Sequence, residues 1–438
     1  MFYLIIVLFV SGLAAIAFER RLSINKAAIA LVTGVLVWVC VAFSGNAVYP
    51  ELIKHLGKIS GLLFFLFGTM AIVEIIDGHG GFNLIFKFIK TTDRTRLLWI
   101  FSFLAFFMSA VLGNLATTVV MITLMWKLVA GKNTRWVFAG MIVIAANAGG
   151  AWSPIGDITT IMLWIGGHVS EWNIIKQLFV PSLICMLVPL VVLSLNLKGE
   201  TNHPISADHS KSLIPTTDNE RWIVLLTGIG GLMLVPVFKS ISQLPPYMGV
   251  LLVMAILWIV SEILYYKKHG EFRIRLMPAE ILKKTDMSTI VFFLGILLAV
   301  AGLESSGHLN SLVQLFDEKV QNIHAINLII GALSSVVDNV PLVAGAMGMY
   351  DIVSPDAMAA VSDPAKAAWL RHFVTDGFFW ELLAYSAGNG GSILIVGSTT
   401  GIAAMGLAQI DFMWYLKKIS LLALIGYLAG FAAYLLIR

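Results

Sequence analysis

Apolar residues run along this chain in blocks of about 20, the length a helix needs to cross ~30 Å of hydrocarbon. FYLIIVLFVSGLAAIAF and LLALIGYLAGFAAYLLI are apolar on every face, whereas strands of a membrane barrel alternate apolar and polar. The pattern predicts spans at 2–18, 27–44, 58–77, 97–130, 135–167, 177–197, 221–238, 246–266, 287–304, 322–350, 368–407 and 411–437. The segments 97–130, 135–167 and 368–407 are too long for one straight crossing, and 322–350 is interrupted by Asp338, Asn339 and Pro341. Residues 198–220, with Pro204, Pro215 and mixed charges, read as a soluble linker. Residues 2–18 lack a basic n-region and an A-x-A-like cleavage site, so they read as a retained first helix. The fold class expected is an all-α polytopic membrane protein.

The two halves resemble each other. FFLFGTMAIVEIIDGHGG (64–81) aligns with VFFLGILLAVAGLESSGH (291–308), placing Gly68 on Gly295 and Asp77 on Glu304. LGNLATTVV (112–120) aligns with VDNVPLVAG (337–345), placing Asn114 on Asn339. NAGGAWSPIGDITT (147–160) aligns with GNGGSILIVGSTTG (388–401), placing Gly149 on Gly390 and Gly156 on Gly397. The three matches keep their order at offsets of 227, 225 and 241. They divide the chain into scaffold helices at 1–57, a first repeat at 58–197, the linker at 198–220, further scaffold helices at 221–286 and a second repeat at 287–438.

Charge placement orients the repeats. Segment 97–130 is flanked by Lys87, Lys90, Arg94 and Arg96 before it and by Lys127, Lys132 and Arg135 after it. Basic loops mark the cytoplasmic face, so a segment with both flanks cytoplasmic enters and returns as a re-entrant hairpin with Asn114 at its tip. The equivalent segment of the second half is flanked by Asp317, Glu318, Asp351, Asp356 and Asp363, as expected outside. One hairpin opens from each face, which is inverted topology.

Composition agrees with a membrane protein. Charged residues make up 12% of the 438 and hydrophobic ones 58%, with a mean hydropathy of +0.89. Soluble domains carry about 25% charged residues, too many for this chain to match. The net charge of +4 points to topology and not to nucleic acid. Cys40 and Cys185 lack the spacing of a metal or redox motif. There is no HExxH, no G-x-S-x-G and no P-loop lysine, so the chain does not read as an enzyme, and no cofactor is expected.

The chemistry lies in four polar breaks inside apolar segments, at 113–118, 147–160, 338–341 and 388–400. Non-helical backbone is tolerated in a bilayer only when buried in protein or lining a cavity. Helix ends at such breaks offer carbonyl oxygens and N–H donors, and a small dehydrated cation needs oxygens. Asn114, Thr117 and Thr118 supply them at the first tip, and Asn147, Ser153, Asp157, Thr159 and Thr160 in the first broken helix. Asp338 and Asn339 supply them at the second tip, and Asn389, Ser392, Ser398, Thr399 and Thr400 in the second broken helix. Single Ser, Thr and Asn residues also serve helix packing, but carboxylates within membrane segments are costly and mark function. Asp157 and Asp338 are therefore the leading candidates. Glu74, Asp77, Glu304 and Glu381 are secondary ones, with Arg371 or His372 as an ion-pair partner for Glu381. His79, His168 and His308 read as surface caps at helix ends.

With GNLATT, NAGGAWSPIGDITT, SSVVDNVPL and GNGGSILIVGSTTG in view, the chain resembles a sodium/proton antiporter of the NhaD type, within the ion transporter superfamily. That superfamily also holds divalent anion/sodium symporters, citrate transporters and arsenite permeases. The resemblance covers residues 58 to 437 and implies an elevator-type transporter with scaffold and transport domains, forming a homodimer. It implies a site of Asn114, Asn147, Asp157, Thr159, Asp338, Asn339 and Ser398, and an integral protein of the bacterial cytoplasmic (inner) membrane. Its partners would be Na⁺ or Li⁺, protons and the lipid bilayer. The anion-transporting relatives carry a Ser-Asn-Thr signature at each tip, where this chain has Gly113, Asp338 and Val340. Asp338 would repel an anionic substrate by about 4 kcal/mol at an effective dielectric near 20. Exchange of Na⁺ (or Li⁺) for H⁺ is therefore expected, with a sodium-coupled anion symporter as the alternative.

Overall fold

The computed structural model describes residues 2–17, 22–43, 48–86, 89, 91–197, 199–200, 216–266, 276–308 and 322–438. Lys87, Lys90, Asp317, Glu318 and most of the linker at 198–220 lie outside the described residues. The principal helices are α1 (Phe2–Ala17), α2 (Lys26–Ala42), α3 (Val48–Gly78), α4 (Arg94–Leu112), α5 (Asn114–Leu128) and α6 (Lys132–Ala151). They continue as α7 (Ile158–Ile165), α8 (Glu171–Asn196), α9 (Asp218–Ser242), α10 (Pro246–Tyr265) and α11 (Met287–Ser305). The last are α12 (Ile323–Ser334), α13 (Asn339–Met349), α14 (Phe378–Gly390), α15 (Thr399–Leu407) and α16 (Ser420–Ile437). Among the described residues, α3, α4, α8, α9, α10, α11 and α16 are long and apolar enough to cross a membrane. The chain is an all-α polytopic membrane protein.

Side-chain caps start several of these helices. Asp93 accepts from Arg96 N at 2.7 Å ahead of α4. Thr217 and Glu220 form a reciprocal capping box ahead of α9. The break in 97–130 is a single residue, Gly113, whose φ of +83° suits a residue without a Cβ. The helix resumes at once with Asn114, so Thr117 and Thr118 are the fourth and fifth residues of α5 and not in a loop. Likewise Pro341 does not break the chain but occupies the first turn of α13, where its missing N–H costs nothing. The break in that segment is at 335–338 instead. The segment 368–407 divides into the end of a short helix (Pro364–Leu370), α14 and α15.

Packing crosses over between the halves. α2, which precedes α3, packs on α11, while α10, which precedes α11, packs on α3. α6 packs on α4 and α5, α14 on α12, and α8 on α16. The centre is formed by α6, buried at every residue from Phe138 to Ala151, and α14, buried from Phe379 to Gly390. Both helices end in polar breaks inside this core.

Candidate functional site

Four helices end and four begin at the centre. α4, α6, α12 and α14 bring C-terminal ends there, and α5, α7, α13 and α15 start there with Gly113, Asp157, Asp338 and Ser398 in the N-cap positions. Short bonds fix the ends to each other. Ser109 Oγ donates to the Ala146 carbonyl at 2.6 Å, and Ser334 Oγ donates to the Ala387 carbonyl at 2.8 Å. Ser153 Oγ donates to the Ala110 carbonyl at 2.5 Å, and Asn114 N to the Gly156 carbonyl at 3.2 Å.

Asp157 is the hub of this arrangement and is 3% exposed. Its Oδ1 accepts from Asn114 Nδ2 at 2.9 Å. Its Oδ2 accepts from Thr159 Oγ1 at 2.5 Å and from Asn339 Nδ2 at 3.4 Å. One carboxylate thus joins the starts of α5, α7 and α13. Asn147 extends the network: its Oδ1 accepts from Asn114 Nδ2 at 3.3 Å, and its Nδ2 reaches Ser392 Oγ at 2.8 Å and Ser398 Oγ at 3.2 Å. Ser398 in turn caps α15 by accepting from Gly401 N at 3.1 Å. All four breaks contribute to one polar centre.

Asp338 adjoins this network without a side-chain hydrogen bond to it. It caps no helix N–H with its side chain, and its Oδ1 is buried without a hydrogen-bond partner among the described residues. The Thr117, Thr118 and Thr160 hydroxyls and Asn389 Oδ1 are also buried without partners among the described residues. Asn389 uses its Nδ2 on the Tyr385 carbonyl at 2.9 Å, and Thr399 is half-buried at the start of α15. No bond among the described residues ties these five to Asp157. The centre offers amide, hydroxyl and carboxylate oxygens and no thiolate or imidazole, a set suited to a hard, small cation.

The secondary candidates separate. Glu74 and Asp77 line a cavity that reaches Asn114. Glu304 is exposed at the end of α11. Glu381 is fully buried, but about 12 Å of helix separates it from Asn389. Its partner is neither Arg371 nor His372: Arg438 Nε lies 3.3 Å from Oε2, with Tyr434 OH and Asn173 Nδ2 each donating at 2.5 Å. The pairing crosses three helices and leaves no trace in local sequence. His79, His168 and His308 are buried and not surface caps. His79 Nδ1 lies 2.6 Å from the Ile75 carbonyl and its ring stacks on Tyr265 at 4.7 Å. His168 packs edge-on to Trp380 at 4.2 Å, and burial in this turn holds its imidazole down at a pKa of about 4, neutral at physiological pH.

Fold and site together define a polytopic membrane protein with a cation-suited polar centre buried among broken helices. The chain belongs to the citrate transporter (CitMHS) family, whose profile matches residues 8–370. Arabidopsis thaliana sodium/proton antiporter 1 is 41% identical over 98% of this chain and 72% of its own length. Arabidopsis thaliana sodium/proton antiporter 2 is 39% identical over 98% of both chains. The Vibrio cholerae Na⁺/H⁺ antiporter NhaD is 28% identical over the whole of this chain and 92% of its own length. These relatives are transporters and not enzymes.

Proposed function

We propose that this protein exchanges Na⁺ or Li⁺ for H⁺ at Asp157, with Asp338 as the second charge of the site. The carrying observation is the burial of the Asp157 carboxylate among amide and hydroxyl groups from both halves of the chain. An isolated ion buried in this way is strongly disfavoured unless paired. The carboxylate must therefore hold either a proton or a metal cation, and competition between the two is exchange. Full-length relatives named as sodium/proton antiporters support the same chemistry. The two carboxylates argue against citrate, despite the family's name. In proteoliposomes with an imposed pH gradient, Na⁺ or Li⁺ should collapse the gradient while citrate should neither do so nor be taken up. Citrate-dependent Na⁺ uptake without proton movement would instead establish the symporter.

The site fits two inverted-topology repeats with re-entrant hairpins α4–α5 and α12–α13. The Ser109–Ala146 and Ser334–Ala387 contacts are related by the same 225 and 241 offsets as the sequence matches. So are the close approaches of Gly149 to the Phe106 carbonyl and of Gly390 to the Gly331 carbonyl. The crossed packing of α2 on α11 and α10 on α3 has the same two-fold character. Because residue 57 lies inside α3, we start the first repeat at Val48. On the superfamily resemblance we also propose homodimerisation, elevator-like movement and residence in a bacterial cytoplasmic membrane. Exposed Lys132 and Asp351 flank opposite hairpins, so cysteines there should react with impermeant reagents from opposite faces. Labelling from one face would remove the inverted arrangement.

A further inference from the structure

A cavity of about 410 Å³ runs from the polar centre along the first tip. At its inner end lie Gly113, Asn114 and Gly156, the backbone and amide groups that position Asp157. One wall is a stripe of α3: Leu66, Thr69, Met70, Val73, Glu74 and Asp77. This 3–4 residue spacing puts all six side chains on one helical face. The opposite wall comes from α5, α7 and α15, including Val119, Ile161 and Leu407. The cavity thus lies between a long membrane-crossing helix and the broken-helix elements that hold the site.

Its direction follows from α5, which runs from Asn114 at the centre to Leu128 and the basic Lys132 loop. The wall residues Val119 and Val120 lie along that course. Leu407, another wall residue, accepts from Trp126 Nε1 at 3.2 Å near the same end. Glu74 and Asp77 close α3, and Asp286 begins α11. Three carboxylates line an otherwise largely apolar cavity. Asp286 is spent as a cap, its oxygens accepting from Thr289 N at 3.2 Å and Thr289 Oγ1 at 2.5 Å. The Glu74 and Asp77 side chains have no hydrogen-bond or ion-pair partner among the described residues; Lys284 acts on both, and Lys127 on Asp77, only at longer range.

We propose that this cavity is the open half of the exchange pathway, admitting the cation from the Lys132 face to Asn114 and Asp157, and that Glu74 and Asp77 draw the cation in without belonging to the transported site. The inference rests on the exchange reading above. Carboxylates set in low-dielectric walls focus a negative field and raise the local cation concentration. The pair therefore acts on how much cation reaches Asp157 and not on what Asp157 does with it.

Two measurements test this in reconstituted full-length protein. In a background with Cys40 and Cys185, both buried, replaced by Ser, Val119→Cys places a thiol on the cavity wall, away from the polar centre. A cationic, impermeant methanethiosulfonate should modify it and block exchange when added on the Lys132 face, with little effect from the other face. Modification from the opposite face alone, or from neither, overturns the proposal. The Glu74→Gln/Asp77→Asn double variant should raise the apparent KM for Na⁺ on that face about fivefold, the order expected for removing a nearby charge in a water-like medium. Its kcat should stay unchanged. An unchanged KM, or a lost kcat, overturns the collecting role while leaving exchange at Asp157 intact. Retained exchange in Asp157→Asn, by contrast, removes the reading beneath it.

Discussion

Asp157→Asn is expected to abolish sodium-dependent proton flux in a protein that still inserts and folds. The amide has nearly the same size as the carboxylate and keeps an acceptor for Asn114 Nδ2, now 2.9 Å away. Thr159, bonded to the other oxygen at 2.5 Å, has a hydroxyl that can rotate to accept instead of donate, and Asn339, whose Nδ2 lies 3.4 Å from that oxygen, can turn its amide to present Oδ1. Packing around the hub therefore survives, as do the Ser109–Ala146 and Asn114–Gly156 links that hold the helix ends. What disappears is the charge that must bind the cation in one half of the cycle and the proton in the other. Asp338→Asn should be milder, leaving exchange with altered sodium affinity, because that side chain makes no hydrogen bond to the Asp157 network. Flux across roughly pH 6 to 9, with size-exclusion profiles as the folding control, separates the outcomes. Wild-type flux in Asp157→Asn would reduce the carboxylate to a cap.

The second large effect concerns the fold. A Cβ added at Gly149 would collide with the backbone of Phe106, and one at Gly390 with the backbone of Gly331. Backbone cannot swing aside as a side-chain end can, so α4 and α6, or α12 and α14, would have to separate. Overpacking a close-packed interior typically costs 1–3 kcal/mol, and a clash with main chain belongs at or above about 3 kcal/mol on that scale. Gly149→Ala and Gly390→Ala should both lower the melting temperature in detergent and the monodisperse yield. Gly345→Ala, where nothing lies within 4 Å of the added carbon, should do neither. Wild-type melting of both core variants would mean the paired helices do not approach as closely as described.

Much of the centre was legible because its signals are local. Asn114, Asn147, Asp157, Thr159, Asn339 and Ser398 are polar residues in apolar runs beside helix-breaking glycines, a pattern with few structural excuses in a bilayer. The structure brings all six into one network. The boundaries of the breaks were less legible. Thr117, Thr118 and Pro341 read as loop residues, yet a helix restarts as soon as one residue has turned the chain. The length of α3 was also underestimated, since Lys54, His55 and Lys58 dilute the hydropathy of its first turns without ending the helix. Long-range partners were invisible: the Glu381–Arg438 pair and the burial of His168 against Trp380 depend on helices far apart in sequence. The cavity was not legible: of its α3 wall the sequence singled out Glu74 and Asp77 alone, and the wall opposite comes from three other helices.

The central claim is that sodium and protons compete for the Asp157 carboxylate, and proton release on sodium binding tests it most directly. Purified protein in weakly buffered detergent solution near neutral pH is titrated with NaCl, with choline chloride as the ionic-strength control. Wild-type protein should release protons as sodium binds, with apparent sodium affinity rising as pH rises, and Asp157→Asn should release none. Sodium binding without proton release in the wild type, or undiminished release in Asp157→Asn, would contradict exchange at this site.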